Sequence, residues 1–250
     1  MSGATPSAPP PSPTSKTPST RASSSPPSAK TAPTPPHNPH IHSRIRMSWE
    51  DAWREGRTGW DAGQSSPLLQ HLVRRGEFRG ERALVPGCGA GYDVITLAST
   101  FQEARGLDLA PTARKRFFEL RDVANLSEER APYQVGDFFE DDLHAPFDLV
   151  WDYTFLCAID PTLRPRWAER MAALIAPGGL LATLIFPVLE DDPQREAERM
   201  ANGPPFPLRP AGVEALVAAN FKTRRLEPVP PSLSHPGRED MEWLGIFERA

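Results

Sequence analysis

Short apolar runs alternate with amphipathic stretches over most of the chain. The segments that read as strands are RALVPG, ARGLDLA, YQVGDFF, FDLVWDYTFLCA, LLATLIFPV, FKTRRLEPV and MEWLGIFER. Stretches with helical patterning lie between them, for example PTARKRFFELRDVAN and PAGVEALVAAN. Continuous apolar strands that are separated by helices are typical of βαβ units, in which a parallel sheet is covered on both faces. The pattern therefore predicts an α/β fold, with a doubly wound, mostly parallel sheet and helices on both faces.

Two helices are predicted before the first of these strands. Ser48 is suited to be an N-cap, and Trp49 and Trp53 lie at i and i+4, so that they share one face of the first helix. A second helix is expected from about Pro67 to Arg75. Trp60, which follows a glycine, lies between the two helices.

Two segments of the second half affect where helices are expected. The stretch DPTLRPRWAERMAALIAPGG reads as a helix that Pro177 and Gly178 close. The polar, proline-rich segment from Leu189 to Pro210 follows the carboxyl end of a strand. Because ligands bind at that edge of such sheets, this segment is a candidate lid over the ligand edge.

Composition separates the first 46 residues from the rest. They contain 12 of the 30 prolines and ten serines, without any acidic or aromatic residue. Such a segment cannot bury enough apolar surface to fold, so residues 1–46 are predicted to be a disordered tail and residues 47–250 a single domain. The tail holds five of the 28 basic residues, which leaves 23 basic and 32 acidic residues and a net charge of −9 for the domain. An acidic domain argues against nucleic acid as the partner.

Several classes of protein are disfavoured by what the sequence lacks. It has no apolar run of 18 residues and no secretory signal, so we expect no membrane partner. Its two cysteines, Cys88 and Cys157, fit neither a disulfide framework nor a metal site, and His71 and His144 read as surface residues. These features favour a reducing, cytoplasmic compartment and no bound metal. No oligomerisation signature is present.

The segment RALVPGCGAGYDV places glycines at 87, 89 and 91 directly after the first predicted strand. A phosphate-binding P-loop would need a Lys-Ser or Lys-Thr pair after the glycines, and none is present. A dinucleotide site needs G-x-G-x-x-G, but the third position is occupied by Tyr92. The observed G-x-G-x-G suits a ligand without a pyrophosphate, such as S-adenosylmethionine. Cys88 is interpreted as a small buried residue and not as a nucleophile.

Acidic and aromatic residues end the next strands. Asp108, in GLDLA, can accept hydrogen bonds from both hydroxyl groups of a ribose, which supports a nucleoside of either type. Asp137, in GDFF, can accept a hydrogen bond from an adenine amino group, and Phe138 can stack on the ring. Two interpretations of Phe138 stay open on the residues alone, a core position and a cofactor contact. Asp152, in DYTF, is a candidate for the amino group of the cofactor.

Eight segments occur in a recognisable order: WEDAWREGRTGWDAGQSSPLLQHLV, RALVPGCGAGYDV, GLDLA, GDFF, DYTFLCAI, RPRWAERMAALIAPGG, TLIFP and GPPF. From Trp49 to about Phe247 the chain closely resembles the halide/thiol methyltransferases, a branch of the thiopurine S-methyltransferase-like family. The resemblance implies a class I methyltransferase fold, in which the last of seven strands is antiparallel. It implies S-adenosylmethionine as methyl donor and a small acceptor, a thiol, bisulfide or halide, to which the methyl group passes by in-line displacement.

The resemblance also assigns residues. It implies that the cofactor is contacted by Trp49, Trp53, Trp60, Gly87, Asp108, Asp137, Phe138 and Tyr153. Tyr153 and Phe206 are the implied residues at the reacting groups, although plant members tend to have tyrosine where this chain has Phe206. Two other functions stay open on the residues alone: an NAD-dependent oxidoreductase, and a non-catalytic nucleoside-binding protein.

Overall fold

The computed structural model describes residues 48–250. The tail predicted for residues 1–46 lies outside the described residues, and the domain boundary at residue 47 stays a prediction. Seven strands form one sheet: β1 (Gly80–Pro86), β2 (Phe101–Asp108), β3 (Tyr133–Val135), β4 (Phe147–Tyr153), β5 (Ile175–Ile185), β6 (Phe221–Pro228) and β7 (Trp243–Arg249). The helices are α1 (Trp49–Arg54), α2 (Pro67–Arg74), α3 (Tyr92–Leu97), α4 (Pro111–Val123), α5 (Arg164–Leu174), α6 (Pro193–Asn202) and α7 (Pro210–Val217).

The strands are ordered β3-β2-β1-β4-β5-β7-β6. The first five strands pair in parallel, whereas β7 pairs antiparallel with both β5 and β6. The doubly wound, mostly parallel, seven-stranded sheet is therefore confirmed. The strand order reverses between β1 and β4, and a crevice at such a switch point is where this class of sheet binds its ligands.

Two apolar clusters cover the two faces of the sheet. One contains Trp167 of α5, and the other contains Trp151 of β4 beside residues of α2 and α3; both tryptophans are fully buried. Because neighbouring residues of a strand point to opposite faces, the buried apolar residues of β4 contribute to both clusters. The long buried strands thus fix the position of every loop at their carboxyl ends.

Two predicted elements differ from the structure. The segment from Leu189 to Pro210, the candidate lid, contains α6, and no helix was predicted there; Asp192 caps this helix by accepting from the backbone N–H of Arg195 at 3.0 Å. None of the residues of α6 is buried, and its apolar stripe is limited to Ala197, Met200 and Ala201. Helix α5 ends at Leu174, and β5 begins before Pro177 and Gly178, because a bulge lets the chain pair with β4 on both sides of that dipeptide.

Candidate active site

A cavity of about 1170 Å³ lies at the carboxyl ends of the parallel strands. Its walls come from the loops after β1, β2, β3, β4 and β5, from α1, and from the segment that precedes β7. This is the switch-point crevice that the topology predicts. Of the nine residues predicted for the site, eight line the cavity: Trp49, Trp53, Trp60, Gly87, Asp108, Asp137, Phe138 and Tyr153.

The loop between β1 and α3 needs glycine at two positions for different reasons. Gly87 has φ +60°, and a side chain there would come within 2.5 Å of the Phe155 ring. Gly91 has φ +78°, and a Cβ atom would lie 2.2 Å from Cδ2 of Phe117 in α4. Left-handed backbone and close packing both exclude larger residues. The third glycine thus lets α4 pack against the loop, one position earlier than in a dinucleotide fold.

Asp108 ties this loop to the end of β2. Its Oδ2 accepts from the backbone N–H of Gly89 at 2.8 Å, and its Oδ1 accepts from that of Ala110 at 2.8 Å. Burial raises the pKa of this carboxyl, although the backbone donors act in the opposite direction. A carboxylate has about four acceptor positions, so Asp108 retains capacity for hydroxyl donors on the cavity side.

Three tryptophans cover the glycine loop. The Trp60 ring meets Trp49 edge-on at 5.1 Å between centroids, and it meets Trp53 at 6.4 Å. Helix α1, which carries the other two rings, is held by Glu50, whose carboxylate accepts from the backbone N–H and the hydroxyl of Thr112 at 2.9 and 2.5 Å. The cap is therefore anchored at the beginning of α4, next to the loop that it covers.

The loop after β3 supplies the remaining predicted cofactor contacts. Asp137 lines the cavity, and its Oδ1 accepts from the backbone N–H of Phe139 at 2.8 Å. Phe138 is 3% exposed and meets the Phe155 ring at 5.0 Å. Phe138 is thus both a core residue and part of the cavity wall, so the two interpretations of this ring are compatible.

A polar network surrounds Tyr153 on the other side of the cavity. The Tyr153 hydroxyl donates to Oε1 of Glu242 at 2.6 Å and accepts from Nη1 of Arg238 at 2.5 Å. Nη2 of Arg238 donates to the backbone carbonyl of Trp60 at 2.6 Å, and the guanidinium lies 5.1 Å from the centroid of the Phe186 ring. Arg238 therefore joins the tryptophan cap to the ends of β4 and β5. Because both sides of the hydroxyl are occupied, Tyr153 presents its ring to the cavity.

Residues of this network were not found from the sequence. Glu242 is 2% exposed, and burial raises the pKa of its carboxyl. His235 is 3% exposed and stacks on the Tyr153 ring with 6.1 Å between centroids, and burial lowers the pKa of its imidazole. All three network partners, Arg238, His235 and Glu242, lie in SHPGREDME, more than 80 residues after Tyr153. A cluster of charged residues just before a strand was the one available signal.

The suggestion that Asp152 binds the amino group of the cofactor is wrong. Asp152 is 1% exposed and does not line the cavity. Its Oδ1 accepts from the backbone N–H of Leu156 at 3.0 Å, and its Oδ2 accepts from the Trp167 indole at 2.9 Å. Because Asp152 and Tyr153 are neighbours in β4, they point to opposite faces of the sheet. Asp152 instead fixes the turn that follows Tyr153.

This buried carboxyl gives a pH-dependent stability. Burial raises the pKa of Asp152 from 3.8 to about 6, against the smaller effect of its two donors. The raised pKa means that its contribution is complete below about pH 3.8 and is lost as the pH rises through about 6. Asp152→Asn has no such proton. We therefore expect the stability advantage of the wild type over Asp152→Asn to shrink by about 2 kcal/mol between pH 4.5 and 7.5. Urea unfolding at several pH values measures it; a constant difference would contradict the assignment.

Phe206 is not part of the cavity wall. Its backbone N–H donates to the carbonyl of Cys157 at 2.7 Å, and its ring packs against Gly203, where a Cβ atom would be 2.6 Å from Cδ1. Pro204 and Pro205 line the cavity in its place. The structure puts Phe206 behind the wall, so its action on the acceptor stays a prediction.

The Cys88 thiol packs against the sheet, although Cys88 is one of the residues that line the cavity. Its Sγ would lie 2.8 Å from a Cβ atom on Gly106, which is buried in β2. Burial raises the pKa of the thiol well above its usual range, which suppresses the reactive thiolate.

Residues 48–250 contain no group of three or more His, Cys, Asp or Glu side chains that could hold a metal ion. No helix in the same residues is long and apolar enough to cross a membrane.

The cavity fits S-adenosylmethionine by the chemistry of its walls. A Cβ atom on Gly89 would lie 3.1 Å from the Trp53 ring, so glycine lets the tryptophan cap pack closely on the loop at the cavity wall. Asp108 offers acceptors for hydroxyl groups, and the tryptophan cap offers aromatic faces, which attract a sulfonium cation. No basic side chain of the described residues stands in the glycine loop to meet a pyrophosphate.

Comparison with known proteins gives the same picture. The thiopurine S-methyltransferase family model matches residues 46–244. "Probable thiol methyltransferase 2" of Arabidopsis thaliana is 37% identical over 207 residues, which cover 81% of this chain and 84% of that protein. "Thiocyanate methyltransferase 1" of Brassica oleracea is 36% identical over 80% of this chain and 84% of its own length. A thiopurine S-methyltransferase of Xanthomonas campestris is 32% identical over 72% and 84%, respectively.

Solved structures agree on the fold. A Burkholderia thailandensis 1,6-didemethyltoxoflavin-N1-methyltransferase, solved with its substrate and S-adenosylhomocysteine, superposes with a TM-score of 0.61 at 18% identity, over 88% of this chain and 93% of its own. The N-methyltransferase NodS of Bradyrhizobium japonicum, solved with S-adenosylhomocysteine, has a TM-score of 0.56 at 15% identity, over 79% and 87%. The match to the family model and the extent of the similarity to these relatives lead to one conclusion: the chain belongs to the thiopurine S-methyltransferase family and is an S-adenosylmethionine-dependent methyltransferase with a small-molecule acceptor.

Proposed function

We propose that this enzyme methylates the sulfur atom of a small thiol. The observation that carries the proposal is the single cavity that joins two kinds of wall, one with Asp108 and the tryptophan cap and one with Phe186, Tyr153 and Arg238. Its volume of about 1170 Å³ exceeds the roughly 300–1,000 Å³ that is usual for one drug-sized ligand, which leaves room for an acceptor beside the cofactor. The names of the plant relatives, thiol and thiocyanate methyltransferases, support a sulfur acceptor.

The residues after β1, β2 and β3 are proposed to hold the cofactor. Asp108 would accept from the ribose hydroxyls, Asp137 from the adenine amino group, and Phe138 would lie against the adenine ring. Gly87 allows close approach of the loop, and Trp49, Trp53 and Trp60 would close the site from above. Bound there, S-adenosylmethionine supplies a methyl group that its sulfonium already activates for in-line displacement.

The chain has little need of a strong base. A thiol is a few per cent thiolate at pH 7 and is very nucleophilic in that form. A neighbouring cation lowers the pKa of a thiol, and Arg238 is the cation that lines the wall beside Tyr153. Aligning the sulfur with the methyl group can supply roughly 7–11 kcal/mol of the barrier. Orientation by the Tyr153 ring and Phe186, together with the charge of Arg238, is thus the proposed contribution of the acceptor side.

A headspace assay tests the acceptor. Purified enzyme with S-adenosylmethionine is given methanethiol, bisulfide or iodide at equal concentrations, and the volatile methylated product is measured. We expect dimethyl sulfide from methanethiol to form at least about tenfold faster than methyl iodide, because Arg238 raises the thiolate fraction of the bound thiol and a thiolate is very nucleophilic. A higher rate with iodide would show that the enzyme is a halide methyltransferase.

Two other functions make different predictions. An NAD-dependent oxidoreductase would show a thermal shift with NAD and none with S-adenosylhomocysteine, and a non-catalytic binding protein would show binding without turnover. Tyr92 at the beginning of α3 and the packing of Gly91 on Phe117 argue against the oxidoreductase.

The two free cysteines fit a reducing compartment, and we propose the cytoplasm.

A further inference from the structure

We propose that the preferred acceptor is an organic thiol that carries a carboxylate, which Arg195 and Arg199 of α6 bind at the mouth of the cavity. This inference rests on the proposed thiol methyltransferase function and specifies its substrate class. Both arginines line the cavity and are exposed. They lie at i and i+4, so they stand one above the other on the same face of the helix. Two guanidinium groups that face one opening form a site for an anion.

The orientation of α6 is fixed by its acidic residues. Glu196 accepts two hydrogen bonds from the guanidinium of Arg209, at 2.9 and 2.7 Å. Glu198 accepts from the side-chain amide of Gln194 at 3.2 Å. The acidic side chains are thus engaged away from the cavity. Neither Arg195 nor Arg199 forms an ion pair within residues 48–250, so both guanidinium groups are available to a ligand.

The position of α6 in the fold assigns the arginines to the acceptor. The helix follows β5, whereas Asp108 ends β2. In the strand order these two strands are three spacings apart, about 14 Å. The loop from Gly203 to Leu208 that follows α6 is bound to the acceptor wall: Phe206 N–H donates to the Cys157 carbonyl, and Leu208 N–H donates to the Pro187 carbonyl at 3.0 Å. A ligand that reaches Arg195 and Arg199 therefore extends from the acceptor side.

Most acidic side chains of the cavity lie on the cofactor side, and its basic side chains lie on the acceptor side. Asp108 and Asp137 lie at the ends of β2 and β3, and Asp61 and Asp93 lie in the cap segment and in α3, while Arg195, Arg199 and Arg238 line the other side. Asp160 also lines the cavity, but its Oδ1 accepts from the backbone N–H and the hydroxyl of Thr162 at 2.9 and 2.7 Å. An acceptor with a carboxylate on one end and a thiol on the other matches this gradient. A lone halide or bisulfide ion at the methyl group could not also reach the arginines.

The reaction itself is unchanged by the carboxylate. The acceptor sulfur forms a bond to the methyl carbon while the carbon–sulfonium bond breaks, the bond pair stays on the sulfur of S-adenosylhomocysteine, and the thiol proton goes to solvent. The carboxylate is remote from these atoms. We therefore expect it to affect KM strongly and kcat little.

The test compares two thiols of equal length, 3-mercaptopropionate and 3-mercapto-1-propanol, by release of S-adenosylhomocysteine. For the wild type we expect a KM about tenfold lower for 3-mercaptopropionate. In the double variant Arg195→Gln/Arg199→Gln this preference should fall below about twofold, with kcat and the KM for the alcohol kept within about twofold. Arg195→Lys/Arg199→Lys should retain part of the preference. Arg224→Gln, an exposed arginine of β6 that pairs with Glu248, is the matched control and should change nothing.

A second measurement does not depend on turnover. Calorimetry with the S-adenosylhomocysteine-saturated enzyme should give tenfold weaker binding of 3-mercaptopropionate in the Gln/Gln variant, and the wild-type affinity should fall with added salt. Equal KM values for the two thiols in the wild type, or equal losses for both in the variant, would overturn the carboxylate site and leave the thiol methyltransferase intact. Failure of the wild type to methylate either thiol would overturn the proposed function itself.

Discussion

Replacing Asp108 with alanine is expected to weaken binding of S-adenosylhomocysteine by at least about a hundredfold. Two effects add. The variant loses the proposed acceptor of the ribose hydroxyls, and charge-assisted hydrogen bonds of this kind contribute about 1.5–3 kcal/mol each. It also frees the backbone N–H of Gly89, which Asp108 holds at 2.8 Å, so the glycine loop loses its link to β2. Isothermal titration calorimetry with S-adenosylhomocysteine measures the result.

Asp148 offers a matched control at the other end of the strands, away from their carboxyl ends. Oδ2 of Asp148, at the beginning of β4, accepts from the backbone N–H groups of Glu81 and Arg82 at 2.8 and 2.9 Å. Asp148→Ala therefore removes the same number of backbone hydrogen bonds from β1, away from the cavity. We expect it to lower the free energy of unfolding and to keep the affinity within about threefold of the wild type. Equal losses of affinity in both variants would mean that Asp108 acts only through the fold.

The residues proposed to hold the cofactor could be placed at one site from the sequence, because they lie at positions that the fold itself defines. Asp108 directly ends a buried strand, and the glycine loop directly follows the neighbouring strand in the sheet. Parallel strands bring their carboxyl ends to one edge, so a local pattern is enough to place both features together. The tryptophan cap could be located by resemblance alone, since nothing in the sequence states that α1 reaches α4 through Glu50 and Thr112.

The residues proposed for the acceptor side were harder to predict, because they are brought together by contacts between distant segments of the chain. Arg238 meets Tyr153 and Trp60 across 85 and 178 residues, and no periodicity encodes such a pairing. Asp152 was misassigned because both faces of β4 are buried, so the strand's pattern does not show which of two neighbouring residues faces the cavity. Helix α6 was missed for another reason: it buries no residue, and its short apolar stripe of Ala197, Met200 and Ala201 lies in a mainly polar segment between prolines.

Replacing Arg238 with glutamine is expected to lower kcat/KM for a thiol by about a hundredfold or more. A glutamine has neither the charge nor the reach to donate to both the Tyr153 hydroxyl and the Trp60 carbonyl. The ring of Tyr153 and the tryptophan cap would then lose their common support, and a misplacement of about 1 Å can cost a hundredfold in rate. Steady-state kinetics with methanethiol measures the loss, and Arg238→Lys should recover only a small part of it.

Arg249 is the matched control for this change. Its guanidinium also spans two segments, with hydrogen bonds to the carbonyls of Ala172 and Asn220 at 3.1 and 3.0 Å, but it lies at the end of β7 outside the cavity. Arg249→Gln should cost stability and leave kcat/KM within about twofold. Equal kinetic losses in the two variants would assign Arg238 a purely structural role.

The pH profile separates the two contributions of Arg238. If its charge favours the thiolate of the bound acceptor, the rising limb of kcat against pH lies at lower pH in the wild type than in Arg238→Gln, because removal of a nearby cation raises the pKa of the thiol. If Arg238 acts only by supporting Tyr153 and Trp60, kcat falls at every pH and the limb does not move. We expect the rising limb of the Gln variant to lie at higher pH. Arg238 lines the cavity in which the acceptor is proposed to bind, and the other cations of that wall, Arg195 and Arg199, lie at its mouth.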